Sequence, residues 1–198
     1  MIVVDAEFTG LDPEKDSILS IGAIDLANPE RQFYGECRIW TGAHVNHEAL
    51  LVNGFTEEEI QDPEKQTDGE LVSAFIAWAV TAQDHTFAGQ NVYLDMMFIR
   101  NAARRYHLDW PFAHRTIDQH SLAHMHMVKA GKTPPTEKGR TALNSDAIMA
   151  YVGIPAEPHP HNALNGAKVA AEAISRLLYD KPILPEFAQY PIPWVTQS

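Results

Sequence analysis

Hydrophobic positions in the first forty residues follow the period of strands. Residues 1–7 are rich in β-branched side chains. Residues 17–26, Ser-Ile-Leu-Ser-Ile-Gly-Ala-Ile-Asp-Leu, are apolar on both parities, as in a strand covered on both faces. Residues 31–40 alternate, with Phe33, Cys37 and Ile39 on one face and Gln32, Glu36 and Arg38 on the other. Asp12-Pro13 and Asn28-Pro29 supply the turns between them. Three strands with short links predict an antiparallel meander.

The period then lengthens. Thr67-x-x-Glu70 forms a capping box ahead of Leu71, Phe75, Trp78 and Ala82, which share one helical face. Residues 84–89 fit a short strand. Leu94, Phe98, Ile99, Ala102 and Tyr106 make a second helical stripe. Residues 141–152 read as a helix stopped by Gly153, with Pro155 beyond. A long face of Ala163, Leu164, Ala167, Ala170, Ala171, Ile174, Leu177 and Leu178 predicts a final helix. Strands first, then alternating helix and strand, predict an α/β domain with a mixed five-stranded sheet flanked by helices. Residues 1–180 are expected to form this domain. Residues 181–198, with Pro182, Pro185, Pro191 and Pro193, are expected to be an extended tail packed on the body or on a partner.

At 198 residues the chain has the size of one ordinary domain. Its single cysteine, Cys37, cannot form an internal disulfide, which suits a reducing, cytoplasmic setting. No apolar run is long enough to span a membrane, and the start lacks the pattern of a signal peptide. The net charge of −11 argues against a long basic groove for duplex nucleic acid. It is compatible with a carboxylate-rich site that works through bound cations.

Asp5 and Glu7 are two positions apart in a strand, so they share a face, roughly 7 Å apart. Val4, Ala6 and Phe8 then face the core. The acid pair reads either as two ordinary solvent-facing residues or as ligands of Mg2+ or Mn2+, which prefer oxygen donors. Asp95 follows Gly89-Gln90-Asn91-Val92-Tyr93-Leu94 in the first turn of a helix, for which Asn91 is the expected N-cap. An acid there is either a response to the helix dipole or a further carboxylate at the sheet edge. His161 lies in Glu157-Pro158-His159-Pro160-His161-Asn162, a proline-stiffened loop before the last helix. It is either an exposed loop histidine or a general base.

Order and spacing add a resemblance. Asp5-Ala6-Glu7-Phe8-Thr9-Gly10-Leu11-Asp12-Pro13 resembles the first motif of the DEDDh 3′–5′ exonucleases, the superfamily of polymerase proofreading subunits, ribonuclease T and oligoribonuclease. Residues 89–99 are similar to the second motif, an Asn followed four residues later by Asp. His161-Asn162-Ala163-Leu164-Asn165-Gly166-Ala167 looks like the third. Residues 48–56, Thr116-Ile117-Asp118 and 143–155 also resemble family text, so the likeness covers roughly residues 1–180. It implies a ribonuclease H-like fold and metal-dependent removal of nucleotides from a single-stranded DNA or RNA 3′ end. It also implies up to two Mg2+ or Mn2+ ions held by Asp5, Glu7 and Asp95, with His161 as the base. Thr9, Gly10 and Leu11 map to the region that grips the terminal nucleotide, and Asn91 to a further substrate contact. Several relatives pair as homodimers.

The third motif departs from the family. Five residues after its histidine the family has an Asp, and here stands Gly166. Fewer ligand charges weaken binding of hard cations. The expected outcomes are an enzyme with one loosely held ion, or a silent relative that binds nucleic acid or a protein partner. The missing bulk at Gly166 leaves room for a water as substitute ligand. Asn165 is a weak alternative donor, and Asp118 and Asp146 are more distant ones. Away from the motifs, Arg100 and Arg104 share a helical face, and Lys129, Lys132, Lys138 and Arg140 lie in a stretch suited to backbone phosphates.

Overall fold

The computed structural model describes residues 1–195. Its centre is a five-stranded sheet in the order β3-β2-β1-β4-β5. β1 (Ile2–Phe8), β2 (Ile18–Asp25) and β3 (Gln32–Glu36) form the antiparallel meander, with Asp5 opposite Gly22. The β1–β2 register slips between Glu7 and Phe8, so the sheet is irregular where the first motif ends. β2 is buried along its whole length, as its unbroken apolar run requires.

The chain then forms α1 (His47–Asn53), α2 (Glu57–Gln61) and α3 (Asp68–Ala79). The capping box of Thr67 and Glu70 opens α3, and a second one, Thr56 with Glu59, opens α2. β4 (Phe87–Gly89) pairs parallel with β1 only at Ile2 and Val3. β5 (Thr116–Asp118) extends the parallel side beyond α4 (Tyr93–Arg105). α5 (Gln119–Lys129), a small hairpin of β6 (Thr136–Glu137) and β7 (Arg140–Thr141), α6 (Ser145–Val152) and α7 (Ala163–Tyr179) complete the order.

Two apolar layers enclose the sheet. On one face Val4, Ala6 and Phe87 pack with Leu71, Phe75, Met96 and Phe98 of α3 and α4. Phe8 belongs to this layer, its ring stacked on Phe98 at 3.9 Å between centroids, as strand parity predicts. On the other face Val3, Ile24 and Ala88 pack with Ile148, Ala167, Ala170 and Ile174 of α6 and α7. This mixed five-stranded sheet flanked by helices is the architecture expected from the sequence.

Several boundaries differ from expectation. β3 ends at Glu36, because Arg38 and Ile39 leave β2 and donate their N–H groups to Gln66 and Ile60 carbonyls. The helix expected over 141–152 starts at Ser145, since Thr141 pairs in the hairpin and Asn144 caps Ala147. The strand expected over 84–89 is confined to Phe87–Gly89, because Asp84 accepts the Thr86 N–H in a turn. Residues 185–187 make a turn of 3-10 helix rather than an extended segment. Leu184, Phe187 and Ile192 are buried, and residues 196–198 lie outside the described residues. Arg176, wholly buried, explains this docking. It pairs with Glu172 at 2.7 Å and donates to the carbonyls of Val152, Phe187 and Tyr190. Glu172 in turn accepts the N–H groups of Ile183 and Leu184.

Among the described residues, no helix is long and apolar enough to cross a membrane.

Candidate active site

The end of β1, the start of α4 and the start of α7 meet at one rim of the sheet. Two close approaches allow it. A Cβ on Gly22 would stand 2.1 Å from the Ala163 carbonyl oxygen, and one on Gly166 would stand 2.1 Å from Asp5 Oδ2. Glycine at both positions lets the first turn of α7 rest directly on β2 and β1. The space at residue 166 therefore does not wait for a water: the Asp5 carboxylate fills it.

The three acids named from the motifs influence one another. Asp5 is held well above the usual carboxylate range, by burial first and then by the charges of Asp95, Glu7 and Glu157. Glu7 is pushed up to about 7, by burial and then by Glu157. Asp95, 5% exposed, is also raised by burial, partly offset by the N–H groups of its own residue and Ala6. None of the three forms an ion pair among the described residues. Nor, among the described residues, do three His, Cys, Asp or Glu side chains stand in a finished metal cage. The acids are neighbours in charge without touching a common point.

The donor set fits a hard divalent cation. It offers carboxylate oxygens only, it is largely buried, and no basic side chain among the described residues pairs with it. In water-poor surroundings such a group is unfavourable unless a positive charge joins it.

His161 is anchored by its backbone N–H to the Val52 carbonyl of α1 at 3.1 Å. Its Nδ1 lies 3.9 Å from Glu157 Oε2, and its ring stacks on His159. α1 is tied in turn to the end of β1, because Asn53 donates to the Phe8 carbonyl at 3.1 Å. The histidine loop and the first motif are thus held by one short helix. Asn53 and Glu157 are the two residues that reading the motifs missed. Glu157 sits four residues before His161 in the loop already singled out, and that spacing is the one signal for it in the sequence.

The other named residues divide. Thr9 is fully buried, and its hydroxyl both donates to the His44 carbonyl and accepts the Ser17 N–H. Its own N–H and carbonyl are taken by Ser17 and Asn46. Thr9 thus holds the loop through its side chain and both of its backbone polar groups. Gly10 gives the Asp16 carboxylate its space. Leu11 is 79% exposed. With Glu7, Phe8, Asn46 and Val52 it lines a groove of about 320 Å³. Asn91 does not cap α4. It takes a positive φ of 51°, and Val92, which has no capping side chain, occupies the N-cap position. The tight turn out of β4 requires this, and asparagine tolerates it better than most residues. Asn91 lines a second groove of about 430 Å³ with Gln90, Asp118, His120, Thr141 and Asn144.

Of the alternative donors, Asp118 caps α5 through the His120 and Ser121 N–H groups, and Asp146 is exposed. Asn165 lines a different groove with Pro155, Lys168 and Phe187. Arg100 and Arg104 are exposed, whereas Arg105 pairs with buried Asp68 at 2.5 Å and lies over the Trp40 ring.

A family model described as exonuclease, RNase T, matches residues 2–174, and the chain belongs to that exonuclease family. The DNA polymerase III PolC-type of Thermotoga maritima is 25% identical over 181 residues, and that of Thermotoga petrophila 23% over 180. The matches cover 89% of this chain but 12% of either polymerase. Among solved structures, the nuclease domain of 3'hExo, a DEDDh family member bound to rAMP, superposes with a TM-score of 0.67 at 17% identity. That match covers 90% of this chain and 91% of the domain. E. coli exonuclease I in complex with a dA16 oligonucleotide gives 0.67 at 16%, covering 88% of this chain and 40% of that one.

Proposed function

We propose that this chain is a 3′–5′ exonuclease that removes nucleotides from the 3′ end of single-stranded DNA or RNA. One observation carries the reading: the carboxylates of Asp5, half-buried, and of Glu7 and Asp95, buried, repel one another without an ion-pair partner among the described residues, gathered where α4 and α7 meet the end of β1.

Asp5, Glu7 and Asp95 would hold up to two Mg2+ or Mn2+ ions. When bound, such ions stabilise negative charge on the phosphoryl and leaving oxygens. His161 is the general base. Its Nδ1 faces Glu157, which leaves Nε2 to take the proton of the attacking water. The Val52 anchor fixes the ring's position without using the ring itself. The groove beside Glu7 receives the terminal nucleoside, with Leu11 as an apolar wedge against its base. Asn91 and the groove around it lie on the path of the preceding nucleotides. A few contacts to a single-stranded end suffice, which suits an acidic chain.

The test uses single-stranded DNA and RNA labelled at the 5′ end, incubated with the protein in Mg2+ or Mn2+. The expected result is a ladder shortened from the 3′ end, lost in Asp5→Asn. Intact substrate in both metals would overturn the assignment.

A further inference from the structure

We propose that the groove at the ends of β4 and β5 reads one nucleobase of the single strand, with the Gln90 amide oxygen accepting from the base's exocyclic amino group. The inference rests on the reading of the chain as a nuclease for single-stranded ends, and it adds a preference for base to that reading.

Strand register builds the site. β4 and β5 run parallel, and their last partners are Gly89 and Asp118. A glutamine follows each of them, Gln90 and Gln119. Gln119 is fully buried, and neither its Oε1 nor its Nε2 has a hydrogen-bond partner among the described residues. Gln90 Oε1 is likewise buried and without a partner there. Three amide atoms are thus unmatched at one end of the sheet. A buried amide left unbonded costs free energy that a ligand can recover. The carboxyl ends of adjacent parallel strands are also where open α/β sheets take ligands.

Gln90 lines the groove of about 430 Å³ with Asn91, Asp118, His120, Thr141 and Asn144. No lysine or arginine lines it, and its one acid, Asp118, repels a phosphate. Much of its polar lining is already engaged. His120 Nε2 is bonded to Thr141 Oγ1 at 2.8 Å, Asn144 Oδ1 accepts the Ala147 N–H, and Asp118 Oδ1 accepts the His120 N–H. Gln90 Oε1 is the acceptor still in need of a donor. The cations stand next door, because Thr141 also lines a neighbouring groove with Lys138 and Arg140 of the hairpin. A nucleotide laid across Thr141 has cations for its phosphate on one side and amides for its base on the other. Among bases, adenine matches a glutamine amide at two points, its N6 amino group to the oxygen and its N7 to the nitrogen.

The test uses 5′-labelled oligodeoxyadenylate in which one adenine at a time is replaced by purine, which lacks the amino group. Shortening in Mn2+ and binding by fluorescence anisotropy in metal-free buffer are both read on the full chain. At one position upstream of the 3′ end, the replacement is expected to weaken binding and slow shortening about 5- to 100-fold. Gln90→Leu is expected to treat adenine and purine alike at that position. Its unfolding temperature should be no lower than that of the unaltered chain, since leucine removes an unmatched acceptor. Purine equal to adenine at every position, or a position effect that survives in Gln90→Leu, would overturn the proposal. A lower unfolding temperature in Gln90→Leu would show the amide bonded within the chain and overturn it as well. An amino-group effect on binding without any shortening would sink the exonuclease reading and leave the base site standing. Neither binding nor shortening would sink both.

Discussion

Asp5 Oδ2 occupies the place that a side chain on residue 166 would need, with only 2.1 Å between it and a Cβ built there. Glycine is thus a condition for the present position of Asp5. Gly166→Ala should push the Asp5 carboxylate aside and lower Mn2+ affinity and exonuclease rate by about tenfold or more. Gly166→Asp, which restores the family's acid in sequence, should lower the rate as well. Initial rates on a labelled oligonucleotide check both. A gain of activity in Gly166→Asp would show that Asp5 has another place to go.

Glu7 links the site to pH. Its carboxyl is pushed up to about 7 in the fold, against 4.5 ordinarily. A raised acid binds more protons folded than unfolded, so metal-free stability falls as pH climbs from about 4.5 through 7. Glu7→Gln should raise metal-free stability by about 2–3 kcal/mol at pH 8 and by almost nothing at pH 4. Mn2+ should raise the melting temperature more at pH 8 than at pH 5. Thermal unfolding across that range, with and without Mn2+, reads both effects.

Leu11 projects into solvent beside the groove lined by Glu7 and Val52. Leu11→Ala removes a wedge and no ligand. KM should rise about tenfold, the worth of burying one leucine, with kcat little changed. A fall confined to kcat would place Leu11 outside the binding surface.

Arg176 is a buried charge that ties residues 183–192 to α6 and α7. Removing it strands Glu172 without its partner. Arg176→Ala should cost about 3–5 kcal/mol and open the segment after Asp180 to proteolysis. Denaturant unfolding and limited digestion measure the two effects.

The meander and the long helices were legible in the sequence, because each follows from a short-range period. Phe8 is placed correctly by strand parity alone. What stayed hidden depends on chain closure. Asn91 carries the local signature of an N-cap, yet the exit from β4 sets its backbone at positive φ and shifts the helix start by a residue. Thr9 matches a family motif, and its bonds to Ser17, His44 and Asn46, which tie the motif to a distant loop, have no local signal. Glu157 looks like one more acid in a proline-rich loop until the Asn162 N–H draws it to the end of α7. Arg176 falls within an apolar helical face, and only the docked segment after Asp180 explains a guanidinium there.

Asp5, Glu7 and Asp95 are proposed to close around divalent ions, with the substrate phosphate as a further ligand. A crystal soaked with Mn2+ and a nucleoside monophosphate tests it most directly, read by anomalous scattering. Mn2+ peaks are expected within bonding distance of these carboxylates, with the phosphate beside them and His161 nearby. Density for the nucleotide with no Mn2+ at the acids, or Mn2+ bound elsewhere on the chain, would contradict it.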